Sequence, residues 1–198
     1  MKQPAPIDRL QHLPSNFRFR EALALGVDSR RLRIWQKNGQ VELLARGLYR
    51  KTDAPALVDE DLFVVAHKIP QAVLCLISAL QFHRLGTQIP HKVQIALPRG
   101  TWVPVLEHPP LEVFRFSGAS WSEGIEEYQM EGSLLRVYSP AKTVADCFKL
   151  RSRLGLDIAL EALRDWRSKA EFDVEEQLAE ARHCRVEAVM RPYLEAML

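Results

Sequence analysis

Apolar residues over the first fifty positions recur three and four apart and then switch to alternation. "IDRLQHLP" predicts a short helix stopped by Pro14. "NFRFREALALG" predicts a second helix, with Ser15 or Asn16 as its cap and Gly26 in a left-handed position at its end. "DSRRLRIWQKNG" predicts a third, where Asp28 or Ser29 accepts the free N–H groups of the first turn and Gly39 ends the run. "QVELLARGLYRK" alternates and turns at "ARG", the pattern of a small two-stranded hairpin. The polar, proline-bearing "KTDAPALVDED" then reads as a connection.

Beyond it the pattern changes. "DEDLFVVAHKIPQAVLCLISALQFHRLG" predicts two helices broken near Pro70 and closed by Gly86. "KVQIALP", "LEVFRFS" and "LLRVYS" predict strands, the last two separated by a loop containing "GASWSEG". "SPAKTVADCFKLRSRLG" starts with Ser139 as N-cap and Pro140 at the first helical position. "LDIALEALRDWRSKA" is amphipathic and helical. "FDVEEQLAEARHCRVEAVMRPYLEAML" is helical too, opened by Asp173 and Glu176 in a capping-box spacing and kinked or broken at Pro192. The sum is an α+β chain with three parts: residues 1–51 as a winged helix-turn-helix, 52–58 as linker, and 59–198 as a mixed α/β domain ending in helices.

Charge sharpens that division. The net charge of the 198 residues is only +2. Residues 1–51 nevertheless hold 11 Lys and Arg against 4 Asp and Glu, a balance of +7, and the remainder holds 16 against 21, a balance of −5. A basic module on an acidic body points to a polyanionic partner for the module alone. At 100° per residue, Leu32 and Trp35 share one face of the third helix. Arg30, Arg33 and Lys37 form a stripe on the opposite face, flanked by Ile34, and Arg31 lies nearer the apolar seam. A helix of this kind offers its N-terminal half to base edges in the major groove, where Arg bonds guanine through two parallel hydrogen bonds and Lys reaches phosphate. Arg46, Arg50 and Lys51, on and beyond the hairpin, can reach the minor groove or flanking backbone. Arg18 and Arg20, near the start of the second helix, can hold phosphates with help from that helix terminus. With Ser29 at the helix start, the expected DNA-contacting set is Arg18, Arg20, Ser29, Arg30, Arg31, Arg33, Lys37, Arg46, Arg50 and Lys51.

The segment "GVDSRRLRIWQKNGQVELLARGLYR" resembles the N-terminal domain of AbiEi-type antitoxins through Gly26, Leu32, Trp35, Gly39, Arg46, Gly47 and Tyr49. "AVLCLISALQFHRLGTQIPHKVQIALPRG" and "VYSPAKTVADCFKLRSRLG" are similar to two further segments of that family, in the same order. The resemblance implies a transcriptional autorepressor and antitoxin of a type IV toxin–antitoxin system of the phage-defence kind. It implies a winged domain that binds inverted repeats in its own promoter on double-stranded DNA. It implies a nucleotidyltransferase-like toxin as functional partner, opposed without a stable complex, and a C-terminal body that supports both repression and neutralisation.

The residues point away from an enzyme. Lys142 and Asp146 in "SPAKTVAD" are i, i+4 neighbours, which predicts a surface ion pair, with Thr143 supporting the first turn. The histidines are scattered, His83 at a helix end where it can cap carbonyls, and no glycine-rich phosphate loop stands out. Cys75, Cys147 and Cys184 read as three reduced thiols, two of them in the core, without metal-ligand spacing. No catalytic residue, metal or cofactor is expected. No apolar run is long enough to span a bilayer and the N-terminus shows no secretory pattern, so the expected setting is the cytoplasm, away from membranes. The competing reading is a protein- or RNA-interaction module that uses the same basic face.

Overall fold

A computed structural model describes residues 9–197. Residues 9–12 form a turn where the sequence predicts a helix over 7–14; residues 7 and 8 lie outside the described residues. The next difference is a strand. Asn16–Arg18 is β1, and helix α1 covers only Phe19–Ala24. Phe17 explains the change: it is fully buried between half-buried neighbours, an alternation of period two, and its ring stacks on Tyr49 at 5.7 Å. Neither Ser15 nor Asn16 caps α1; the Arg18 N–H donates to Glu21 Oε2 at 2.7 Å instead. Gly26 has φ +73, and its carbonyl accepts a hydrogen bond from Arg9, which closes the turn into helix α2, Ser29–Lys37. Asp28 caps α2 by accepting the Arg31 N–H at 2.8 Å. Strands β2 (Val41–Ala45) and β3 (Leu48–Lys51) form the expected hairpin, and β1 adds to its free edge to give a sheet of order β1-β3-β2.

The body is a mixed five-stranded sheet covered on both faces. In chain order it comprises α3 (Glu60–Lys68), β4 (Val73–Leu74), α4 (Leu76–His83), β5 (Val93–Pro98), β6 (Leu111–Phe116), α5 (Ala119–Ser122), β7 (Ile125–Met130) and β8 (Ser133–Tyr138). Five helices follow: α6 (Pro140–Lys149), α7 (Arg151–Leu154), α8 (Leu156–Arg167), α9 (Val174–His183) and α10 (Glu187–Met197). The strand order is β6-β5-β4-β8-β7, with β4 parallel to β8 and β5 parallel to β6. The two residues of β4 show how the sheet divides the core. Val73 faces the layer of α6, α8, α9 and α10, and Leu74 faces α3. The fold is therefore α+β, with a small three-stranded N-terminal unit and a mixed body that ends in helices.

Three expectations about the body need correction. Strand β7 lies between the two predicted strands that a loop was expected to join, and its sequence "IEEYQM" puts two acids into the strand. The last helical run breaks at residues 184–186, not at Pro192, which lies inside α10. Most consequentially, Lys142 and Asp146 are not on the surface. Every residue from 141 to 148 is buried, and the pair is wholly inaccessible, with Lys142 Nζ 2.5 Å from Asp146 Oδ2. Helices α4, α8, α9 and α10 all pack on α6 and leave the stretch from Ala141 to Phe148 no wet face. The ammonium group also sits 4.0 Å from the centroid of the Tyr138 ring, and the Cys184 thiol donates to Asp146 Oδ1 at 3.2 Å. Burial pushes the Asp146 carboxyl above the usual range, against the pull of Lys142.

The connection between the two parts is itself packed. Leu48 of β3 is fully buried in one cluster with Phe63 and Val64 of α3, joined by Leu57 from the connecting segment. Thr52 binds back to the turn after α2, its hydroxyl donating to the Gly39 carbonyl at 2.6 Å.

Candidate nucleic-acid interface

Helix α2 sorts its residues as its spacing predicts. Leu32 is 1% exposed and Trp35 6%, both in a core built with Phe17, Ala22, Val27 and Val41. Burying these faces fixes the rotation of the helix, so Ser29, Arg30, Arg31, Arg33 and Lys37 are exposed and Ile34 is 44% exposed beside them. Among the described residues no carboxylate pairs with any of the four cations. Arg30 and Lys37 stand about 10 Å apart along the helix axis. The N-terminus of α2 does not add to this field for an anion, because the Asp28 carboxylate occupies it.

The other candidates divide. Arg20 and Arg46 are exposed, and the Phe19 N–H to Gly47 carbonyl bond, 3.0 Å, holds them at one end of the small sheet. Lys51, half-buried opposite Val41, lies at the other end beside the exit of α2.

Arg18 and Arg50 point inward, contrary to expectation. Arg18 donates from Nε to His67 Nε2 at 2.6 Å and from Nη2 to the His67 carbonyl at 2.7 Å. Burial and then the Arg18 charge push the His67 imidazole down to about 4, so it is neutral at pH 7 and its Nδ1–H can donate to Ser133 Oγ, 2.9 Å away. Arg50 is 4% exposed. It lies 3.5 Å from Glu42 and 3.8 Å from Glu131, and it donates to Asn16 Oδ1 and the Ala54 carbonyl, each at 3.3 Å. Both arginines fasten the N-terminal unit to itself and to the body. The helix terminus expected to help Arg18 hold phosphate is taken by Glu21.

One cation was not visible to sequence reasoning. Lys68, at the end of α3, donates from Nζ to the Arg46 carbonyl. Burial first, and then the neighbouring Arg18 and Arg46 charges, push its ammonium pKa down. Nothing in the local sequence around Lys68 signals this, since its neighbour is 22 residues away. His83, expected to cap carbonyls at a helix end, donates from Nε2 to the carbonyl of Tyr138 at 2.8 Å, across from its own helix.

No family model matches the chain, and no curated protein matches it. Among solved structures, the chain is similar to the RV2827C protein from Mycobacterium tuberculosis, with a TM-score of 0.59 and 13% identity over 94% of this chain and 78% of that one. At that identity the likeness describes the fold. No helix among the described residues is long and apolar enough to cross a membrane.

Proposed function

We propose that this chain is a double-stranded-DNA-binding autorepressor and an antitoxin of the AbiEi type, cytoplasmic and without enzymatic activity of its own. The observation that carries the reading is the uncompensated cationic face of α2, held outward by the burial of Leu32 and Trp35. The sequence of elements, α1, a glycine turn, α2 and a hairpin, is the order of a winged helix-turn-helix, in which the second helix enters the major groove. A helix with its side chains is about 10–12 Å across, which a major groove about 12 Å wide admits, and the nine residues of α2 give about 13 Å of helix to lie in it. Arg30, Arg31 and Arg33 then face base edges, and Lys37, Arg20, Arg46, Lys51 and Lys68 face phosphates. Ser29, exposed at the helix start, adds a hydroxyl for either. An RNA reader would want exposed aromatic faces for stacking. Within the N-terminal unit Trp35 is buried and Tyr49 stacks on Phe17, and the exposed aromatic near its basic end is Trp102 of the body, beside Arg46 and Lys68. The antitoxin half of the reading rests on the resemblance of three segments to that family, and its partner is a nucleotidyltransferase-like toxin opposed without a stable complex.

The test uses the full chain with Arg30, Arg33 and Lys37 all replaced by Ala. With about six phosphates contacted, the parent's log K for its upstream promoter DNA falls against log salt with a slope of roughly −5. The triple variant loses promoter repression in a reporter assay yet still protects toxin-expressing cells when supplied from an unrelated promoter. A flat salt response in the parent sinks the DNA reading. Failure of the folded triple variant to protect sinks the separation of repression from neutralisation.

A further inference from the structure

The acidic body concentrates cations at one place. A cleft of about 740 Å³ opens where residues 117–120, the end of α6, α7 and the α9–α10 turn meet. Its lining carries Lys149, Arg151, Arg182, His183 and Arg185, together with Ser117 and Ser120, and no Asp or Glu. The acids around it are already engaged. Glu180 lies 3.4 Å from His183, Glu187 pairs with Arg182 and Arg191, and Asp146 is held by Lys142 beneath the floor. Lys149 donates to Ser120 Oγ at 2.6 Å and Arg151 to the Phe148 carbonyl at 2.9 Å, both neutral partners. Among the described residues Lys149, Arg151 and Arg185 have no carboxylate within ion-pairing distance, although the buried Asp146 acts on Lys149 from below, which leaves three positive charges around one concavity.

The backbone at Arg185 sets where its side chain stands. Residues 181–186 form a Schellman turn: the Arg185 N–H donates to the Arg182 carbonyl at 2.9 Å and the Val186 N–H to the Ala181 carbonyl at 2.8 Å. Arg185 occupies the left-handed position of that turn, with φ +61, where Gly is the residue free of steric cost. Gly would close the turn at least as well, so Arg185→Gly removes the guanidinium without disturbing the turn. What Arg adds there is a guanidinium at the mouth of a basic cleft.

We propose that this cleft binds a small phosphate-bearing ligand with two or more linked phosphates, of the class of inorganic pyrophosphate or the polyphosphate tail of a nucleotide. Guanidinium groups match phosphate oxygens in pairs, and three uncompensated cations suit a chain of phosphates better than a single one. The volume lies in the range of small-molecule sites. A nucleic-acid backbone offers the same phosphates, and the experiment separates the two sources. The site does not rest on the DNA reading, since no residue of α2 lines it.

The full chain is titrated calorimetrically at low ionic strength with inorganic phosphate, pyrophosphate, ATP and a random duplex. Arg185→Gly and Arg151→Gln are compared with the parent, and the α2 triple-alanine variant serves as control. Pyrophosphate and ATP bind saturably, more tightly than phosphate. Each variant weakens them about tenfold or more, as expected for loss of a charge-assisted hydrogen bond. Arg185→Gly melts no lower than the parent, because Gly suits the turn, so loss of binding in it is not loss of fold. ATP still binds the α2 triple variant and is not displaced by duplex. The proposal is overturned if neither pyrophosphate nor ATP binds up to about 10 mM, or if Arg185→Gly binds them like the parent. It is overturned equally if duplex displaces ATP, which would make the cleft part of a nucleic-acid surface.

Discussion

Helices α2 and α6 are close counterparts in the sequence. They have nine and ten residues, each is capped by a side-chain oxygen, from Asp28 and from Ser139, and each carries cations on one stripe and apolar residues on another. In the fold the central charges of the two helices meet opposite fates, although Lys149 at the end of α6 reaches a cleft. The cations of α2 face water without a counter-ion, and Lys142 of α6 is sealed against Asp146 with no exposure at all. An amphipathic pattern reports that two faces of a helix differ. It does not report whether a second layer of structure covers the polar one.

That contrast has measurable edges. Asp146→Ala strands the Lys142 ammonium in a dry interior and costs about 3–5 kcal/mol, read from urea unfolding of the full chain. A loss below about 1 kcal/mol would mean that Lys142 reaches water or another acid, and the two helices would differ less than described. Arg50→Met tests a cation that belongs to the N-terminal unit yet behaves like Lys142. It loses charge-assisted bonds to Asn16 and Ala54 and its pairing with Glu42 and Glu131, which together should cost roughly 1.5–3 kcal/mol of stability. Its affinity for promoter DNA, measured on the folded variant, should stay near that of the parent; a large loss there would put Arg50 back among the DNA contacts. Arg33→Ala should move stability by less than about 0.5 kcal/mol. It should lower affinity for the promoter sequence, more than for random duplex, by roughly 1–3 kcal/mol. Equal losses on both would make Arg33 a phosphate contact and not a reader of bases.

Much of this was legible in the residues, and the gaps have physical causes. Local chemistry was readable. The caps at Asp28, Ser139 and Asp173 and the left-handed Gly26 and Gly39 mark helix ends because each satisfies backbone groups within a few residues. Rotation of α2 was readable because Leu32 and Trp35 leave it no other way to bury them. Strand β4 was not, because "AVLCL" is apolar throughout and a strand buried on both faces shows no alternation. Strand β1 was hidden for a related reason, since only three residues alternate and the next ones continue as helix. Arg18, Arg50, Lys68 and the Arg185 cleft depend on partners tens of residues away, which no local window contains.

The buried joint at Leu48, Phe63 and Val64 bears on how such chains can be recombined. Composition places a seam at residues 52–58, where charge changes sign and a proline interrupts the pattern. A crossover there would exchange the N-terminal unit for another while carrying away Leu48 from Phe63, Arg18 from His67 and Arg50 from Glu131. Each half would arrive with an apolar socket and stranded polar groups cut to fit a lost counterpart. Gene exchange between such chains therefore succeeds at this seam only when both sides of the joint travel together. The outward residues of α2 touch none of these contacts, so they can be replaced one at a time without opening the joint.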